Sequence, residues 1–109
     1  MGDRVSISFR NKGERSPQLF SHWGGRAFAL QALEYAQLLS KERSGQVMPL
    51  DRLEPQTVMV DFIRYITKHL DRVESDLYIC ANQADGDDSD NGPFVIDLTD
   101  PNNIVALRG

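Results

Sequence analysis

The chain holds one cysteine among 109 residues, so no intrachain disulfide can form and no Cys-rich zinc centre can be assembled. It has two histidines, His22 and His69, and neither a His-Glu-x-x-His pair nor a Gly-x-Ser-x-Gly elbow occurs, which argues against a zinc protease or an α/β-hydrolase. No apolar run approaches the roughly 20 residues of a membrane span. The polar opening Met1-Gly2-Asp3-Arg4 does not read as a signal peptide, and the expected setting is the cytoplasm. What remains is the balance of an ordinary soluble domain, 40% hydrophobic, 26% charged and 8% aromatic. A chain of this length buries enough surface to fold without disulfides or metal, and residues 1–109 read as a single domain.

Charge is unevenly distributed. Asp85, Asp87, Asp88, Asp90, Asp97 and Asp100 lie in one stretch without Lys or Arg, and without them the net charge of −4 would turn positive. The first 26 residues run the other way, with Arg4, Arg10, Lys12, Arg15 and Arg26 against Asp3 and Glu14. Such polarity could guide an oppositely charged partner or a second copy of the chain, whereas a net-acidic domain argues against general nucleic-acid binding.

Val5, Ile7 and Phe9 alternate with Ser6, Ser8 and Arg10, which predicts a strand with one buried and one wet face. Asn11 to Arg15 supply a reversal, and Gln18 to Trp23 read as the return strand of a hairpin that Gly24-Gly25 ends. From Arg26 to about Ser44 the apolar spacing becomes helical, with Ala27, Ala29, Ala32 and Ala36 allowing close approach. Glu54-Pro55 opens a second helix whose stripe is Met59, Phe62, Ile63, Ile66, Leu70 and Val73. Leu77 to Ala81, apolar throughout, reads as a central strand; Phe94 to Leu98 and Ile104 to Leu107 read as two more. The order ββααβββ predicts an α+β two-layer sandwich, with an antiparallel sheet and both helices on one face.

Two segments carry candidate chemistry. Asp87, Ser89 and Asn91 with Gly92 match the front half of an EF-hand type calcium loop, because alternate oxygen-bearing residues of a tight loop can converge on one hard cation. The twelfth position is Leu98 rather than Glu, so the last ligand would have to be Asp97; the bland alternative is a solvated hairpin loop. The second segment is His22, Trp23, Gly24, Gly25 and Arg26 at a strand-to-helix corner, where helix amides and a guanidinium could receive an anion and His22 could move a proton. Its simplest structural reading has the glycines making the turn, Trp23 plugging the core edge and His22 bonding a carbonyl. His69 and Cys80 read as packed residues. A Cys80 and His22 nucleophile pair would require their strands to be neighbours.

The Met1-Gly2-Asp3-Arg4 opening with the His22-Trp23-Gly24-Gly25 corner resembles a group of small uncharacterised phage and prokaryotic proteins. That resemblance covers about the first quarter of the chain and implies no reaction, cofactor or partner. The leading expectation is a non-enzymatic interaction or ligand-binding module, with an unidentified protein partner or a homodimer formed through a sheet edge or the alanine-rich helix. The rivals are a calcium-binding protein using the acidic loop and a small enzyme or anion site at His22 to Arg26.

Overall fold

The alternation of Val5, Ile7 and Phe9 builds the strand at the centre of the molecule. The computed structural model describes residues 2–42, 53–68, 76–82 and 86–108. Its elements in chain order are β1 Val5–Asn11, β2 Glu14–Arg15, β3 Gln18–Ser21, α1 Gly25–Glu42, α2 Pro55–Thr67, β4 Leu77–Cys80, β5 Pro93–Asp97 and β6 Val105–Arg108. The class is α+β. The sheet order is β4-β3-β1-β5-β6, with β2 closing back on the end of β1.

Both helices bury their apolar stripes in the same core as Val5, Ile7, Phe9, Leu19 and Ile96. Phe62 on α2 is its aromatic hub, with ring centroids 5.7 Å from Phe9, 5.9 Å from Phe28 and 5.2 Å from Tyr35. Ala29, Ala32 and Ala36 are buried in this core, so three of the four alanines of α1 serve close packing within the chain, while Ala27 is exposed. Pro55 opens α2 as expected, where a missing N–H costs no helical bond. The Tyr35 hydroxyl donates to Asp61 at 2.6 Å and joins the helices; burial, and then that bond, push its ionisation above the usual phenol range. Leu70, Val73, His69 and the Ser44-Gly45 stop lie outside the described residues.

Three expectations are corrected. The sheet is mixed, because β1 and β5 pair in parallel from Ser6 opposite Pro93 to Arg10 opposite Asp97. Since β4 is antiparallel to β3 and β3 to β1, β4 and β5 run in the same direction, and the chain between them is a crossover instead of a hairpin. The apolar segment Leu77–Cys80 is an edge strand of this sheet, not a central one. The polar face of β1 is not wet: Ser6 and Ser8 are fully buried.

What covers that face is the acidic crossover. Gly86 sits so close to the Phe20 ring that a Cβ there would come within 2.6 Å of it. Asp88 is buried and accepts a bond from Ser6 Oγ at 2.6 Å, while Gln18 Nε2 donates to the same Ser6 oxygen at 3.0 Å. Arg15 Nε donates to Ser8 Oγ at 3.0 Å. Buried hydroxyls need such partners, so the serines of β1 belong to a satisfied polar layer.

Candidate functional site

The strand-to-helix corner is held by a residue that the sequence pattern does not single out. Asp76, just before β4, accepts bonds from the Ser21 hydroxyl at 2.9 Å, the His22 amide at 2.7 Å and the Trp23 amide at 3.0 Å. Gly24 donates to Ser21 Oγ at 2.8 Å. Gly25 has φ +60°, and a Cβ there would run into the Asp3 carboxylate, so this position needs glycine for both conformation and space. Gly2 abuts the His22 carbonyl, and Asp3 N donates to that same oxygen at 2.7 Å. The described part of the opening segment, Gly2 to Arg4, therefore touches the His22 to Gly25 corner directly.

The His22 ring packs between Trp23 and Tyr78, at centroid distances of 5.5 and 5.2 Å, and Tyr78 stacks on the buried Phe20 at 5.0 Å. These four rings form a ladder from the interior to the surface. Its outer rung is Trp23, which is 63% exposed and does not plug the core edge as expected, because Asp76 holds its amide at the rim. Arg26 does not face this cluster; it lines a cleft with Arg108 on α1 and β6. A larger concavity, about 740 Å³, lies at the other end of the sheet beside Lys12, Leu53 and Thr99, near Asp97 and away from the His22 corner.

The acidic loop meets the N-terminal segment. Arg4 Nε lies 3.4 Å from Asp87 Oδ2, Arg4 N donates to Asp90 at 2.9 Å, and Asn91 Nδ2 donates to Asp3 at 2.6 Å and to the Arg4 carbonyl at 2.9 Å. Hydrogen bonds from Ser89, its backbone first, hold the Asp87 carboxyl below the usual carboxylate range, with Arg4 and His22 adding to the effect. The loop is thus tied to the sheet by its own carboxylates and is not simply solvated.

Asp97 stands apart. It ends β5, opposite Arg10, and bonds Arg10 Nη2 at 3.0 Å and the Thr99 hydroxyl at 2.7 Å. The Thr99 hydroxyl, then its amide and Arg10, hold the Asp97 carboxyl below its ordinary value. Pro93 to Asp97 is a full strand, so Asp97 is carried about 13 Å away from the loop that holds Asp87, Ser89 and Asn91. The four sequence-predicted ligands do not share one point. Among the described residues no group of three or more His, Cys, Asp or Glu side chains is placed to hold a metal.

Cys80 lies on β4 and His22 directly follows the neighbouring β3, but the register separates them. Gln18 is opposite Cys80 and Ser21 is opposite Leu77, so Cys80 is three residues, about 10 Å, from the end of β4 where His22 sits.

The outer edge of β4 completes the surface. The His22 amide donates to the Asp76 carbonyl at 3.2 Å, which fixes the alternation of the antiparallel ladder. Counting from that pair along the register, Tyr78 and Cys80 face β3, and the N–H and C=O groups of Leu77 and Ile79 point away from it. Ile79 is 51% exposed on this edge, and no strand pairs outside β4 among the described residues.

The fold class and the site stand without a relative to extend them: the chain matches no family model, no curated protein and no solved structure. No helix among the described residues is long and apolar enough to cross a membrane.

Proposed function

We propose that the protein is a non-enzymatic interaction module that joins a second copy of itself along β4, extending the sheet across a twofold axis. The observation that carries this reading is the outward-pointing backbone of Leu77 and Ile79 on an edge strand without charge, proline or bulge. Edges of that kind pair with other chains unless they are blocked. The sequence of β4 suits self-pairing. An antiparallel partner lays the N-terminal end of one β4 against the C-terminal end of the other, so the two Asp76 carboxylates stand at opposite ends and do not repel. Ile79 supplies apolar contact at the edge, and Trp23 stands exposed at its Asp76 end. The lone free thiol, Cys80, suits a reducing cytoplasmic setting.

Sedimentation equilibrium tests this. The wild-type chain is expected to approach twice its 12.3 kDa mass as concentration rises. Ile79→Lys places a charge on an already exposed position, leaves the fold intact, and is expected to weaken association by at least about tenfold. A wild-type chain that stays monomeric to about millimolar concentration, or a dimer indifferent to Ile79→Lys, overturns the proposal.

A further inference from the structure

A second surface, distinct from the β4 edge, lies on the helix side of the sheet near its other margin. Arg26, Ala29 and Leu30 of α1 face Phe94, Ala106 and Arg108 of β5 and β6 across a cleft of about 450 Å³. That volume falls within the usual range for small-molecule sites, roughly 300–1,000 Å³. Its floor is apolar: Ala29 is buried, Phe94 and Ala106 are half-buried, and Leu30 presents 58% of its surface. Each wall carries one guanidinium.

The two arginines are not equivalent. Arg108 is fixed, with Nη1 donating to the Asn91 carbonyl at 2.9 Å and its guanidinium carbon 5.0 Å from the centre of the Phe94 ring. Packing on an aromatic face and bonding a carbonyl hold this cation in place while leaving most of its donors free. Arg26 is exposed and has no hydrogen-bond or ion-pair partner among the described residues. One fully free, planar fork beside one anchored cation suits a monoanion held in bidentate fashion. No carboxylate of the described chain lines this cleft, although the chain as a whole is net acidic.

We infer that the Arg26 and Arg108 cleft binds a small carboxylic acid with an apolar body, the carboxylate bridging the two guanidinium groups and the body lying on Leu30, Phe94 and Ala106. The charge supplies orientation and the floor supplies burial. Neither half suffices alone, since a bare anion at an exposed pair of arginines is screened by salt and an uncharged body leaves the guanidinium groups unmatched.

The test uses 2-naphthoate, with 2-naphthol as the uncharged body and acetate as the bodiless anion, followed through the methyl resonances of Leu30 and Ala106. The expected result is saturable shifts with 2-naphthoate, binding at least about tenfold weaker for 2-naphthol, and no saturable shift with acetate at the same concentrations. Arg26→Gln removes a side chain without a hydrogen-bond or ion-pair partner among the described residues, so the fold is kept, and it is expected to weaken 2-naphthoate about tenfold while leaving 2-naphthol unchanged. Absence of saturable shifts with 2-naphthoate up to about 5 mM, equal binding of 2-naphthol, or an Arg26→Gln variant that binds 2-naphthoate as the wild type does would each overturn the inference.

Discussion

Asp76 gathers three donors from three consecutive residues, and that one carboxylate decides the geometry of the corner from Ser21 to Trp23. Replacing it with alanine removes the acceptor of the Ser21 hydroxyl and the Trp23 amide and leaves the His22 amide only the backbone carbonyl of residue 76, and is expected to cost about 1–2 kcal/mol in urea unfolding. The tryptophan emission should change in the same variant, because Trp23 loses its tether. Asp97 makes a separate prediction. Its folded-state carboxyl is held below its ordinary value, so it contributes stability above that value and loses it as pH falls through the lower folded one. Between about pH 5 and pH 3, Asp97→Asn should therefore lose less stability than the wild type when urea midpoints are compared. Neither role was legible in the sequence. An isolated aspartate before a strand carries no periodic signal, and Asp97 was read as a ligand because spacing along the chain cannot show that β5 carries it to the far end of the sheet. The glycines were read better: Gly24 and Gly25 make the turn, and the only surprise is what fills the space a side chain would take, the Asp3 carboxylate against Gly25.

At the level of elements, periodicity located five of the six strands and both helices where the structure describes them, missing the two-residue β2 inside the expected reversal, and the α+β class followed. Pairing direction did not follow. Two neighbouring apolar segments look alike whether they join by hairpin or by crossover, and the polar composition of the β4 to β5 connection suggested a solvated turn when it crosses the sheet and buries Asp88. The alternation in β1 was correct as geometry and wrong as solvent exposure, since Ser6 and Ser8 face a polar cover instead of water. Asp88→Ala should cost about 1–3 kcal/mol by removing the acceptor for Ser6, and it should speed amide hydrogen exchange in residues 86–92 relative to the helices. A stability loss without faster exchange in that segment would mean that Asp88 does not pin the crossover.

Seen as a whole molecule, the charge asymmetry along the chain is met in part inside it. The Arg4 guanidinium meets Asp87 and Arg10 meets Asp97, so two cations of the basic opening pair with the acidic stretch across the sheet, while the Arg4 amide bonds Asp90. The surfaces left for association are those the internal pairing does not use: the neutral edge of β4 with Trp23 beside it, and the cleft that Arg26 and Arg108 border. An all-apolar segment signals burial without saying by what, and Leu77 to Ala81, expected at the centre, supplies the edge strand β4. The central claim, that β4 edges pair, is tested most directly by amide hydrogen exchange in β4 measured across a range of protein concentrations. Tyr78 and Cys80, bonded to β3, should be protected throughout, while protection of Leu77 and Ile79 should rise with concentration as their outward amides find a partner. Exchange at Leu77 and Ile79 that is equally fast in dilute and concentrated solution would contradict it.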